Sequence, residues 1–214
     1  MMKARRASPE EEGRRIARGI AASQQRCTEM WHAAGRVTTR DPLLALVQEQ
    51  HRRNFDLWHE EDKARAPDAT DAQIAAVKRK IDKLNQLRND LIEKLDEHIC
   101  AGLAAQGVRL RPGAGWNSET PGGVIDRLSI LSLKVHHMGE QCQRRDAAAE
   151  HTAKCRARLA VLRRQRHDLV LALGELLADL LAGRKQMKLY RQFKMYNDPN
   201  LNPAIYGAKS KDEG

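Results

Sequence analysis

Between Ile74 and Leu103 the apolar residues Ile74, Val77, Ile81, Leu84, Leu91, Ile92, Leu95, Ile99 and Leu103 recur largely at steps of three and four. That spacing puts them on one stripe of a long α-helix and excludes a strand, whose side chains repeat every two residues. A stripe of this length can be hidden only against other helices, so the rest of the chain must supply them. Three further stretches do: Leu43, Leu44, Leu46, Val47, Leu57 and Trp58; Val124, Ile125, Leu128, Leu131, Val135 and Met138; and Leu159, Leu162, Leu169, Leu173, Leu176 and Leu180.

Punctuation residues set the helix ends. Asp41 can cap a helix whose first position is Pro42, and Pro67 stops it, which predicts a helix over about 42–65. Thr70 or Asp68 caps the next helix. Thr120 and Pro121 start a third, a turn falls between Gly139 and Ala147, and a fourth helix over about 147–182 stops at Gly183. Aromatic residues are scarce, with Trp 3, Tyr 3 and Phe 2, which argues against a sandwich or barrel. The fold class expected is all-α: an antiparallel four-helix bundle over residues 41–183. Residues 1–40 read as a flexible or marginally helical basic arm, with Ile16 and Ile20 forming a weak amphipathic turn. Residues 184–214 read as a basic short helix, from Lys185, and an irregular C-terminal tail.

Several classes fall away on composition. The apolar segment Leu169–Leu181 is broken by Glu175 and Asp179 and is too short to cross a bilayer, so no membrane association is expected. Lys3, Arg5 and Arg6 are followed by acids rather than an apolar stretch, so export is not expected. Cys27, Cys100, Cys142 and Cys155 contain no CxxC pair, which fits a reducing cytoplasm. The spacing of His137, Cys142, His151 and Cys155 matches no zinc module, and buried thiols packing as small apolar groups account for the cysteines.

The formal charge is +10, from 38 Lys and Arg against 28 Asp and Glu. It is uneven: residues 1–40 carry +5, residues 41–103 carry −3 and residues 104–214 carry +8.

Polar residues interrupt the helical stripes in a regular way. His51, Asn54, Trp58, Glu61 and Arg65 follow one another at steps of three, four, three and four. Asp82, Asn85, Asn89 and Asp96 line the next helix, and Asp126, Arg127 and Ser129 lie near the start of the third. Two readings follow: the stripes face each other across a polar pocket, or they are solvated flanks with intrahelical pairs such as Glu61 with Arg65.

The strings Asn54-Phe-Asp-Leu-Trp-His-Glu-Glu-Asp-Lys-Ala-Arg65, Glu119-Thr-Pro-Gly-Gly-Val-Ile-Asp-Arg-Leu-Ser-Ile-Leu131 and Tyr190-Arg-Gln-Phe-Lys-Met-Tyr-Asn-Asp-Pro199, followed by Leu201-Asn-Pro203, resemble a bacterial family, the domain of unknown function numbered 4254. The likeness runs over about residues 43–204. It implies a bacterial, mainly helical protein in which Asn54, Trp58, His59, Glu61, Asp62, Arg65, Thr120, Asp126, Arg127, Tyr190, Arg191 and Lys194 act together, and it implies no activity. One departure is Gly123 after Gly122, a second glycine that would loosen the first helical turn.

The leading functional expectation is an inter-helix pocket for an anionic small molecule, a nucleotide or phosphorylated sugar. His59 or Glu61 would be the general base of any reaction, and Trp58 a stacking surface. His51, Asn54, Asp62, Arg65, Asn85, Asn89, Thr120, Asp126, Arg127, Lys188, Tyr190, Arg191 and Lys194 would hold the ligand. The Thr-Pro-Gly-Gly helix start would offer backbone N–H groups to phosphate, and the Lys185 to Lys194 segment would close the pocket. Glu60, Glu61 and Asp62 opposite Asp90, Glu93 and Asp96 would admit Mg²⁺ as a cofactor. Two alternatives are a nucleic-acid-binding module using Arg163, Arg164 and Arg166, and a scaffold that forms a homodimer.

Overall fold

The computed structural model describes residues 7–193 and 200–203. The protein is all-α, built from α1 (Pro9–His32), α2 (Pro42–Ala64), α3 (Asp71–Ala105), α4 (Pro121–Gln143) and α5 (Ala149–Leu181). Two short strands, β1 (Gly115–Trp116) and β2 (Lys185–Gln186), pair in parallel. No helix among the described residues is long and apolar enough to cross a membrane.

Local chemistry sets the helix starts. Asp41 Oδ1 accepts from the Leu44 amide at 3.1 Å, with Pro42 in the first helical position. Thr70 and Gln73 form a reciprocal capping box, and Thr120 Oγ1 accepts from the Gly123 amide at 3.2 Å.

The basic arm expected at residues 1–40 is corrected: residues 9–32 form a 24-residue helix. Its start is fixed by a second capping box, with Glu11 Oε2 accepting from the Ser8 amide at 2.9 Å and Ser8 Oγ from the Glu11 amide at 3.2 Å. Its buried face is Gly13, Ala17, Ile20, Ala21, Gln24, Cys27 and Thr28. Only one of these is a large apolar residue, so hydrophobic periodicity gives little sign of the helix. The small residues instead allow a close crossing: a Cβ added at Gly13 would lie 2.5 Å from the Gly174 carbonyl oxygen and 2.7 Å from the Ala178 nitrogen, both on α5.

Residue pairs fix the helix directions. Thr28 meets His51 and His32 meets His59, so α1 and α2 run parallel. Gln50 meets Asp126 and Trp58 meets His137, so α4 runs the same way. Arg88 meets Asp126 while Asp96 meets Gly122, and Gly13 meets Gly174 while Ala21 meets Arg166, so α3 and α5 run against the other three. Residues 33–41 must therefore carry the chain back along α1 before α2 begins. At roughly 3.3–3.6 Å per extended residue they can cover about 30 Å.

The main core is Ala17, Ile20, Val47, Leu95, Ile99, Val124, Ile125, Leu128, Leu173, Leu176, Leu177 and Leu180. A smaller cluster of Leu57, Ile81 and Leu84 closes the α2–α3 hairpin, while Ile74, at the far end of the α3 stripe, is 41% exposed.

The basic helix expected from Lys185 is also corrected, since residues 187–193 take no helical form. Gly183 adopts φ +66°, ends α5 and lies against the Arg109 carbonyl. The chain beyond it is held by the 106–120 connection: the Arg111 amide donates to the Gly183 carbonyl at 2.9 Å and Gln186 Nε2 to the Ala114 carbonyl at 2.7 Å. Backbone groups of Lys185 and Gln186 are also taken up by the parallel pairing with Gly115 and Trp116.

Candidate functional site

Where α1, α2 and α4 run side by side, polar side chains replace apolar ones at the interface. Gln24, Thr28, Gln50, His51, Asn54, Asp126 and Ser129 are all buried. Thr28 has one hydroxyl hydrogen, given to the Gln24 carbonyl at 3.0 Å, so it accepts from His51 Nε2 at 2.9 Å. His51 Nδ1 is then the acceptor for the Ser129 hydroxyl at 2.6 Å, and Ser129 Oγ accepts from Asn54 Nδ2 at 2.8 Å. The chain of bonds has one direction from Asn54 to the Gln24 carbonyl and fixes the His51 tautomer. Burial pushes the His51 imidazole down to about 3, so it stays neutral.

Asp126 anchors the other end. Its Oδ1 accepts from Gln50 Nε2 at 2.6 Å, Asn54 Nδ2 at 2.9 Å and Arg88 Nε at 2.7 Å, and its Oδ2 meets Arg88 Nη2. Ser129 and His51 thus form a pair of the kind found in hydrolases, but both are sealed from solvent, with no room for a substrate.

Beside this network the sequence-predicted pocket residues do come together. Asn54, Trp58, Glu61, Asp62, Arg65 and Asn85, with Arg88, Leu57, Ile130 and Leu133, line a cavity of about 400 Å³ between α2, α3 and α4. Its two arginines are already paired: Arg65 Nη2 lies 2.9 Å from Glu61 Oε2, and Arg88 is bound to Asp126. Asn89 is half-buried on α3, one residue beyond Arg88.

Other predicted residues go elsewhere. Thr120 serves as the α4 cap. The anion expected at the α4 start is the protein's own: Asp96 Oδ1 accepts from the Gly122 amide at 2.7 Å. Gly122 is required there, because a Cβ would lie 2.6 Å from the Ile92 carbonyl oxygen, whereas a Cβ at Gly123 would meet only ordinary contacts, the nearest at 3.6 Å. Arg127 pairs with Glu119 at 2.8 Å, on the surface. Lys188 and Tyr190 are exposed, and Arg191 binds Glu93 at 3.0 Å and Glu97 at 2.5 Å on the outer face of α3. The segment expected to close the pocket therefore docks away from it. Lys194 lies outside the described residues. Of the acids proposed for Mg²⁺, Glu60 sits between Lys63 at 2.7 Å and Lys80 at 2.6 Å, which hold its carboxyl below the usual range.

His59 faces away from the pocket, into a cluster that the sequence reading did not foresee. One ring nitrogen from each of His32, His59 and His137 lies within 4.8 Å of the other two. His32 comes from the segment read as an arm, so no spacing could join it to the others. His151, by contrast, contacts Cys155 Sγ at 3.4 Å within α5. Cys27 is buried and its thiol is pushed up to about 11, which leaves it inert as a nucleophile.

A second cavity, of about 520 Å³, opens between α1, α4 and α5. Arg18, Arg163, Arg166, His136 and His167 line it, with Glu29, Gln25, Thr28 and Ser132. Arg166 turns inward, donating to the Ala21 carbonyl at 2.6 Å and to Ser132 Oγ at 3.2 Å. Among the described residues none of these three arginines has a carboxylate in ion-pair range, and burial pushes the Arg166 guanidinium down. Three guanidinium groups thus face one carboxylate, that of Glu29.

The family model described as "Protein of unknown function (DUF4254)" matches residues 44–189, more than half of the chain. No curated protein and no solved structure matches.

Proposed function

The chain belongs to the DUF4254 family, whose description carries no activity, and from its own geometry we propose that it binds an anionic small molecule of the nucleotide or phosphorylated-sugar class in the α1/α4/α5 cavity. The observation that carries this reading is the set of unpaired arginines. Arg18, Arg163 and Arg166 converge on about 520 Å³ with Glu29 as the one acid, whereas both arginines of the α2/α3/α4 cavity are already paired. Arg166 is half-buried without a counter-ion, which is costly, while Arg18 and Arg163 are exposed at the mouth and free to turn toward a ligand; a phosphate meets guanidinium groups with bidentate, charge-assisted hydrogen bonds. The volume falls within the range of small-molecule sites.

Binding rather than turnover is the reading supported. The cavity holds two imidazoles, His136 and His167, but no nucleophile paired with a base. The four helices expected as an antiparallel bundle supply two walls through α4 and α5, and α1 supplies the third. Inward-facing Arg166 also weakens the nucleic-acid alternative, since it removes one member of the basic run from the surface. The four free thiols suit a reducing bacterial cytoplasm.

The test is a thermal-shift and calorimetric titration of nucleoside phosphates, sugar phosphates and inorganic phosphate. A ligand present at a hundredfold its Kd should add about 2.7 kcal/mol to the stability of the wild type. In Arg18→Ala/Arg163→Ala, both changed at the cavity mouth, that gain should vanish while far-UV ellipticity stays the same. A wild type that no phosphate compound stabilises, or a double variant that keeps the full gain, overturns the reading.

A further inference from the structure

We propose that His32, His59 and His137 form a binding site for one divalent transition-metal cation, of which Zn²⁺ is the representative. This goes beyond the anion cavity and does not rest on it.

Each imidazole is presented by a different helix with one nitrogen already engaged. His32 Nδ1 meets the Thr28 carbonyl at 2.7 Å, His59 Nδ1 the Phe55 carbonyl at 2.8 Å and His137 Nδ1 the Glu140 carboxylate at 2.7 Å. All three partners only accept, so each Nδ1 carries a hydrogen, and it is Nε2 that can offer a lone pair to a metal. That is the arrangement in which metal-ligating histidines are held: the second nitrogen donates to a carbonyl or carboxylate that orients the ring and raises its basicity.

A second observation points to a missing ligand. Nε2 of His32 and of His137 are buried and have no hydrogen-bond partner; the same holds for Nε2 of His136, whose ring stacks on His32 at 4.1 Å between centroids. A buried lone pair with no donor costs roughly 1–3 kcal/mol. A single cation among the three rings would take one nitrogen from each at once. Zn²⁺ takes nitrogen at roughly 2.0–2.1 Å in tetrahedral geometry, so ring nitrogens up to 4.8 Å apart must draw closer by up to about 1.5 Å on binding.

The frame favours a cation. Because α1, α2 and α4 run parallel, their C-terminal ends point the same way, and His32 is the last residue of α1, where a nearby positive charge is stabilised. Trp58 stacks on His137 at 4.7 Å between centroids, fixing that ring. An all-imidazole set suits Zn²⁺, Co²⁺, Ni²⁺ or Cu²⁺ and does not suit Mg²⁺ or Ca²⁺, which take oxygen ligands. Three protein ligands leave a fourth position open.

The experiment titrates the full chain, stripped with a chelator, with ZnSO₄ and CoCl₂, read by calorimetry, by visible absorption of Co²⁺ and by the unfolding midpoint. The result expected is one ion per chain, not displaced by excess MgCl₂. His59→Gln and His137→Gln should each weaken binding by roughly a hundredfold or more, and Glu140→Gln, which touches no ion, by about tenfold to a hundredfold. His98→Ala, outside the cluster, should change nothing. If a histidine variant loses far-UV ellipticity, the Glu140→Gln arm and the Co²⁺ spectrum of the wild type still decide. Absence of Zn²⁺ and Co²⁺ binding by the wild type, or undiminished affinity in His59→Gln/His137→Gln, overturns the site. Neither result touches the phosphate-dependent stabilisation lost in Arg18→Ala/Arg163→Ala, so failures of the two sites are distinguishable.

Discussion

At the scale of single residues, the buried hydrogen-bond chain through His51 has the most definite consequence. The folded protein holds His51 neutral, with its imidazole lowered to about 3, while in the unfolded chain it protonates below about 6.5. As pH falls from about 6.5 toward 3, the unfolded state gains a proton that the native state refuses, and this contribution to stability is lost at up to about 1.4 kcal/mol per pH unit. A glutamine can both donate to Thr28 and accept from Ser129 without titrating. Urea unfolding at pH 7 and pH 5 should therefore find the wild type ahead of His51→Gln by a margin that narrows by a kcal/mol or more at the lower pH; an unchanged margin would mean His51 protonates while folded. His51, Asn54, Asp126 and Ser129 were legible in the sequence as polar groups in apolar stripes. Gln24 and Thr28, which complete the chain, were not, because nothing in the local pattern of α1 marks its inner face.

At the scale of elements, α1 is held by the smallness of its inward residues rather than by their hydrophobic area. Two glycines on this one helix separate the effects. Gly13 crosses α5 with the Gly174 carbonyl oxygen 2.5 Å from where a Cβ would stand, and Gly19 has nothing within 4 Å. Gly13→Ala should destabilise by roughly 1–3 kcal/mol through overpacking. Gly19→Ala should stabilise by up to about 1 kcal/mol through helix propensity. Denaturant midpoints of the two variants check both signs. The helix termini show how far local chemistry reaches: Asp41, Thr70 and Thr120 cap where the sequence places them, since a cap depends on residues within one turn. The segment after Gly183 fails as a helix because its partners, Arg111 and Ala114, are some seventy residues away.

For the whole molecule, the third wall of the arginine cavity and one corner of the histidine cluster both come from α1. Deleting residues 1–36 should therefore abolish the single cooperative unfolding transition and leave the remainder rapidly cleaved in limited proteolysis. A truncated chain that melts as sharply as the full one would restore the arm reading. The deletion would also expose Ile125, Leu173 and Leu177, buried in the same core as Ala17 and Ile20. A basic excess that in the linear sequence is spread over both ends becomes local in the same way: Arg18 from one end and Arg163 and Arg166 from the other meet in one cavity.

The sequence by itself determined the secondary-structure class, the starts of α2, α3 and α4 and the set of polar residues that gather between α2, α3 and α4, because all of these follow from periodicity and from contacts within a turn or two. Only the tertiary structure decided that α1 belongs to the core, that three helices run parallel, that Asp96 occupies the anion-like position at the start of α4 and that His32, His59 and His137 meet. Those facts depend on which surfaces are close in space, and residues a hundred positions apart carry no mark of it in their spacing.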